Sequence, residues 1–308
     1  EVLGVSEEKR GAVQHAVTSL RQISRDDPYV NVLRATIACF AAAAGGAEVQ
    51  TVLPLDAAVG LPSDMTRRIA RNIQVVLADE SNLARVNDPA GGAFYVESMT
   101  AQLGAKAWEL FGTLDEAGFA AAVADGTVAG QIAETNEARA ELLATRKLPL
   151  TGVSMFPNPS EAPLQTKPRP DAPKLGGLVP VRDAQVFEDL RDRSTAGAQD
   201  GNAPKVMLAC LGTRRDFGGR EGFTSNLFHV AGIQTPIAEG AEPADFARQL
   251  KENDAKIAVL CSSAKVYAEQ GFDVAKALKD AGAEEVWLAG QLRELGAEDT
   301  DGLIAGNI

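Results

Sequence analysis

A chain of 308 residues, 45% apolar and 23% charged, holds material for two domains of ordinary size. Its net charge of −12 repels phosphate backbones and anionic headgroups, which excludes nucleic-acid or membrane binding as a main role. No stretch reads as a membrane span or a signal peptide, and Cys39, Cys210 and Cys261 are spaced for neither a zinc site nor a disulfide framework.

The cysteines read as small core residues of a protein kept in a reducing cytosol. With two histidines, His15 and His229, there is little material for imidazole chemistry. The chain opens on Glu1-Val2-Leu3-Gly4-Val5 without Met and closes just after an apolar run, so both ends read as cuts within a longer polypeptide.

Residues 1–146 read as helices alternating with short extended runs. Asp27 followed by Pro28 reads as a helix start, with a capping carboxylate and then proline where its missing N–H costs nothing. That helix should stop at Gly45-Gly46. Val49-Gln50-Thr51-Val52-Leu53 reads as a strand. Ser63 is a candidate N-cap, and Met65, Ile69, Ile73, Val76 and Leu77 mark the apolar stripe of the helix it starts. Asp88-Pro89-Ala90-Gly91-Gly92 reads as a turn and Ala93-Phe94-Tyr95-Val96 as a short extended piece, with helices over about 97–117 and 127–146. Such alternation fits a parallel α/β fold. A closed eight-fold barrel needs about 250 residues, so this region is only the C-terminal part of one.

Residues 147–204 carry nine of the fifteen prolines. Proline removes backbone donors and breaks helices, so this stretch reads as an extended connector with one short helix near 183–192. Residues 205–308 read as strands at 205–211, 233–238, 257–261, 285–288 and 303–305, with helices between, for example over 243–253 and 264–281. Near-continuous apolar strands joined by helical crossovers imply a doubly wound parallel sheet of flavodoxin-like order. Gly218, Gly219 and Gly222 after the first of these strands fit neither a P-loop nor a dinucleotide fingerprint.

Three ordered runs carry a resemblance. They are Arg67-Arg68-Ile69-Ala70-Arg71-Asn72-Ile73-Gln74, then Asp79-Glu80-Ser81-Asn82-Leu83-Ala84-Arg85-Val86, then Asp88 to Glu97. Together with Asp27-Pro28-Tyr29-Val30-Asn31-Val32-Leu33-Arg34 they resemble the methylmalonyl-CoA mutase family. Leu150-Thr151-Gly152-Val153-Ser154-Met155-Phe156-Pro157-Asn158 resembles its small-subunit branch. The resemblance implies a (β/α)8 barrel that holds the acyl-CoA, a connector that wraps it, and a C-terminal cobalamin-type α/β domain. It implies a radical rearrangement for which adenosylcobalamin supplies the chemistry and the protein supplies orientation and exclusion of water.

Against the family pattern this sequence has losses. Cobalamin-binding members carry Asp-x-His-x-x-Gly after the first strand of the α/β domain, and the His ligates cobalt. Here Arg214 stands at the Asp position and Asp216 at the His position, while Gly219 keeps the Gly. A carboxylate is a hard oxygen donor without the orienting relay of imidazole. The run Arg214-Arg215-Asp216 therefore reads as a charged loop, and His229 as a helix histidine that is no substitute. In the barrel, Thr51 and Leu53 stand where catalytic chains carry His and Asn, and Leu20 replaces a Gly, which should plug the acyl pocket. Glu80 matches a glutamate that faces the cofactor cavity in catalytic chains. It and Asn72, on the same helix, read as relics. The resemblance thus implies no catalytic residue, no metal ligand and no cobalamin bound by this chain, in a heterodimer with a homologous large subunit that carries the isomerase activity. The competing readings are a catalytic mutase with its own cobalamin and a stand-alone α/β ligand-binding module.

Overall fold

The structure, a computed structural model, describes residue 6 and residues 13–170, 179–199, 203–296 and 302–308. The chain divides into two compact units, Glu1–Pro149 with Pro163–Ala184, and Leu150–Ala162 with Gln185–Ile308. The proline-rich stretch is thus no separate body, because its residues are shared between the units.

In the first unit, β1 (His15–Val17) and β2 (Val49–Thr51) form a parallel two-stranded ladder, with His15 opposite Val49 and Val17 opposite Thr51. Between them runs α1 (Val30–Ala44), which ends at Gly45, with Gly46 at φ +84°. The helix does not start on an Asp27 cap. The N-cap position is Tyr29; Asp27 takes φ +46°, and its carbonyl accepts from the Val30 N–H at 3.1 Å. Next comes α2 (Asp64–Val75), capped by Ser63, whose hydroxyl accepts from the Thr66 N–H at 3.2 Å. A π turn, Val76–Glu80, extends it. The buried face of this helix is Thr66, Ala70, Ile73 and Leu77, while Met65 and Val76 are exposed. The expected stripe is therefore rotated by about one position. The Thr66 hydroxyl fixes the rotation by donating at 2.8 Å to the buried carboxylate of Asp56. The core of this unit joins Ala35 and Cys39 of α1 to Val52 and to Ala70, Ile73 and Leu77.

The run expected to be extended at 93–96 is helical. Helix α3 (Phe94–Ala117) is followed by α4 (Phe119–Ala124) and α5 (Thr127–Ala144). Aromatic and β-branched residues suggested a strand at 94–96, but no strand lies alongside to pair with it, and α3 has no buried residue. Tyr95, Met99, Leu103, Leu110 and Phe111 lie exposed along its length.

Among the described residues of this unit, Leu61 bridges Lys167 antiparallel. The Asp183 carboxylate, 5% exposed, takes a two-pronged bond from Arg139 of α5, whose Nε donates at 2.9 Å, and lies 3.7 Å from Arg21.

The second unit begins its helices with α6 (Gln185–Gln199), longer than the short helix expected near 183–192. It then builds a five-stranded sheet from β3 (Val206–Leu211), β4 (Ile237–Gly240), β5 (Ile257–Cys261), β6 (Glu285–Leu288) and β7 (Gly306–Asn307). All ladders are parallel, and the order is β4-β3-β5-β6-β7, or 2-1-3-4-5 within the sheet. The crossovers are α7 (Arg214–His229), α8 (Pro243–Glu252) and α9 (Ala264–Val266), which runs through a π turn at Tyr267–Gly271 into α10 (Phe272–Asp280).

Two edge strands start later than their apolar runs suggest. Pro236 has no N–H to donate, so the β4 ladder begins after it, with the Pro236 carbonyl accepting from Leu208 at 2.9 Å. β7 centres on Gly306, where a Cβ would lie 2.8 Å from the Trp287 ring, so glycine is what allows that close approach. Alternate residues of β3 feed two cores. Met207, Ala209 and Leu211 join Phe246, Leu250, Val274 and Leu278, while Val206, Leu208 and Cys210 join Phe217. Among the described residues no helix is long and apolar enough to cross a membrane.

Asp183→Ala should destabilise the first unit by about 2–3 kcal/mol, since it removes charged hydrogen bonds and leaves Arg139 half-buried without its partner. Chemical denaturation followed by circular dichroism checks this, and Asp183→Asn should recover part of the loss.

Candidate functional sites

In an open parallel sheet, ligands bind outside the carboxyl ends of the strands, where the strand order reverses. Here that point lies between β3 and β5, and the loop Leu211-Gly212-Thr213 leads from it into α7. Gly212 adopts φ +82°, where a side chain would be strained and its Cβ would press on Asp216 at 3.0 Å. Thr213 and Asp216 form a reciprocal capping box. The Asp216 carboxylate accepts from the Thr213 N–H at 3.0 Å and from the Thr213 hydroxyl at 2.6 Å. These two bonds hold the Asp216 carboxyl below the usual carboxylate range.

Arg214, Arg215 and Asp216 are therefore the first helical turn and not a loop. Arg214 is largely exposed and lies 3.7 Å from Glu221 one face along. Gly219 and its neighbours Gly218 and Gly222 are inside α7 and open no phosphate cradle. At Gly219 a Cβ would meet nothing within 4 Å, so no crowding demands glycine there.

The rest of the crevice is tied by protein groups. The Ser262 hydroxyl donates to the Leu211 carbonyl at 2.7 Å, joining the ends of β5 and β3. The Tyr267 hydroxyl, fully buried, accepts from the Ser262 N–H at 2.8 Å and is placed to donate to the carbonyls of Leu260 at 2.8 Å and Ala289 at 2.9 Å. It thereby joins β5 to the end of β6, and burial pushes its phenol well above the usual range. Arg220 lies over the Tyr267 ring, 5.1 Å from its centroid, and pairs with Glu294 at 2.6 Å. The hydrogen bond from Arg220 lowers the Glu294 carboxyl. Nothing in the sequence marked Tyr267, Arg220 or Glu294. Tyr267 meets backbone atoms at strand ends, and Arg220 meets Glu294 and the Tyr267 ring, pairings that no spacing pattern signals.

His229 ends α7, thirteen residues after Asp216, or about 20 Å along a helix that rises about 1.5 Å per residue. Its Nε2 lies 2.7 Å from the Thr235 hydroxyl, and burial, helped by Arg191, lowers its pKa below the ordinary 6.5. Across the sheet, Cys210 faces Cys261 in register. Their contact and burial raise the Cys210 thiol.

In the first unit, His15 is spent on the ladder, with its Nε2 2.8 Å from the Thr51 hydroxyl. Asn31, fully buried, holds the Ser24 backbone and the Leu55 carbonyl, so the Asp27–Arg34 run serves the turn beneath it. Asn72 on α2 and Glu80 at the end of the π turn are both exposed, and neither lines a described cleft. Leu20 and Leu53, which the resemblance places in the acyl pocket, line together with Thr18 and Ser19 an open cleft of about 630 Å³ at the carboxyl ends of β1 and β2. Among the described residues no three His, Cys, Asp or Glu side chains cluster to hold a metal ion.

Fold and sites define an α/β protein whose parallel sheet has the architecture of a ligand-binding domain and closes its own crevice. Comparison with known proteins gives the family. The methylmalonyl-CoA mutase family model matches residues 3–179, more than half of the chain. The chain is 51% identical, over all its length, to the methylmalonyl-CoA mutase small subunit of Propionibacterium freudenreichii subsp. shermanii, of which it covers 48%. It is 46% identical over 90% of its length to the small subunit of Streptomyces virginiae, covering 46% of that protein. To the probable small subunit of Mycobacterium bovis it is 37% identical over 92% of its length, again covering 46%. The chain belongs to the methylmalonyl-CoA mutase family, and it spans about half the length of these curated relatives.

Adenosylcobalamin is the cofactor that this family uses, and an imidazole would be the side chain to hold it. The loop residues do not fit it. Asp216 is a carboxylate already engaged by Thr213, and His229 is a helix length away.

Two measurements test these sites. Tyr267→Phe should cost about 1–3 kcal/mol in urea unfolding, because the Ser262 N–H and two carbonyls lose their buried partner. For His229, the unfolded ring takes up its proton as pH falls through 6.5 while the folded ring resists. Its contribution is complete above that value and declines below it. The fall in unfolding midpoint from pH 7.5 to 5.5 should therefore be smaller in His229→Gln than in the unmodified chain.

Proposed function

We propose that this chain is part of the non-catalytic small subunit of a heterodimeric, cytoplasmic, adenosylcobalamin-dependent methylmalonyl-CoA mutase. Its first unit is the later part of a (β/α)8 barrel, and its second is a flavodoxin-like domain of the cobalamin-binding type that has lost the cofactor. It stabilises a homologous large chain that carries the acyl-CoA, the corrinoid and the isomerisation of methylmalonyl-CoA and succinyl-CoA.

The observation that carries this reading is the capping box of Thr213 and Asp216. It uses up, for helix α7, the position from which family members ligate cobalt. Three further features support it. The strand order 2-1-3-4-5 is that of flavodoxin-type sheets. Among its described residues the first unit has two barrel-like strands, and the exposed apolar line on α3 asks for cover by more polypeptide. The small-subunit relatives are about twice as long.

A catalytic chain with its own corrinoid is opposed by the same capping box. A stand-alone ligand module is opposed by the match to residues 3–179, which lie mostly in the first unit.

The test is to purify the chain alone and together with the related large chain. Alone, it should give no saturable visible-spectrum change with cobalamin and no turnover. Mixed with the large chain, it should elute with it as a single species on size exclusion. Histidine-like cobalt ligation or turnover by the chain alone would overturn the proposal, as would elution of the two chains apart.

A further inference from the structure

Helix α1 is apolar on two opposite faces. Its inner face puts Ala35 and Cys39 into the core with Val52, Ala70, Ile73 and Leu77. An α-helix turns about 100° per residue, which sets Leu33 and Ile37 within about 20° of the direction opposite to Ala35. Both are open to solvent, at 63% and 69%, and Tyr29 and Phe40 flank them at 60% and 46%. A helix that is apolar all round belongs inside protein.

Charge separates this face from the rest of the molecule. The chain is 23% charged with a net charge of −12, yet Arg34 is the one charged residue between Tyr29 and Ala44. Its Nη1 is engaged with the Ser24 hydroxyl and the Asn31 carboxamide oxygen, both at 2.7 Å. The spacing also has a pattern. Tyr29, Leu33, Ile37 and Ala41 form one row at every fourth residue, and Thr36, Phe40 and Ala44 form the next. Rows of this spacing are the ridges by which helices pack into one another.

The four large side chains together expose apolar surface on the order of 400 Å², a size at which an exposed patch marks an interaction site. That is about half of what one side of a standard protein–protein interface buries, so this face is the centre of a contact rather than all of it.

The direction of the face narrows the occupant. In a β/α unit the strands lie beneath the helix and other helices lie at its sides. More of the same barrel adds strands and flanking helices and leaves the outward face bare. A small polar ligand finds no partner there. An acidic chain meets another protein with least repulsion through an uncharged surface. We infer that the outer face of α1 docks an apolar helix of the homologous large chain, with Leu33 and Ile37 at the centre of the contact. The inference rests on the subunit reading and gives it a surface.

Cys39, Cys210 and Cys261 are buried, so a Leu33→Cys thiol would be the one open to a maleimide among these positions. It should be labelled rapidly in the chain alone and at least tenfold more slowly once the large chain is added. Leu33→Glu combined with Ile37→Lys places opposite charges at i and i+4, which suits an exposed helix. This double variant should keep the circular dichroism spectrum and melting temperature of the chain alone and bind the large chain at least tenfold more weakly by isothermal titration. If the unmodified chains associate but the thiol stays unprotected or the double variant binds undiminished, this surface is wrong and the subunit reading stands. If the unmodified chains do not associate, the subunit reading falls and this surface with it. Slow labelling of the chain alone would show that its own residues cover the face. Self-association that the double variant abolishes would make the occupant a second copy. Either result overturns the assignment.

Discussion

The second unit depends on how the polar ends of its central strands are satisfied. A parallel sheet buried on both faces ends in carbonyls and N–H groups that must find partners where the strands stop. In many such folds part of that demand is left to a bound ligand. Here the chain meets it internally. Ser262 closes on Leu211, Tyr267 reaches the ends of β5 and β6, and Thr213 with Asp216 completes the start of α7. Arg220 then packs over Tyr267 and pairs with Glu294. A ligand that used these strand-end groups would have to break such bonds first.

The first unit presents the opposite situation. Among its described residues, one apolar cluster of six buried residues joins α1 and α2 to Val52. Its longest helix buries nothing and carries an apolar line open to solvent. What holds its distant parts together is polar. Arg169 holds two carbonyls, and Asp183 is held by Arg139 and Arg21. Arg169 and Arg182 lie beside the ends of β1 and β2.

Much of this was legible in the chain itself. The five strands of the second unit, their parallel order, the stop of α1 at Gly45-Gly46 and the Ser63 cap follow from local chemistry, where the cause and the effect sit within a few residues. Tertiary structure decided the rest. The face of α2 turned inward to bring Thr66 to Asp56, residues 94–96 became helical for want of a strand to pair with, and Arg214 to Asp216 became a capped helical turn in place of a loop. Leu20 and Leu53 were read as plugs from their places in the family pattern, and in the fold they line an open cleft. Arg220 and Glu294 gave no signal, because they meet only in the fold. Sequence determines what a residue can do with its neighbours along the chain, and only the folded chain decides which distant partners come within the 3 Å or so over which a hydrogen bond forms.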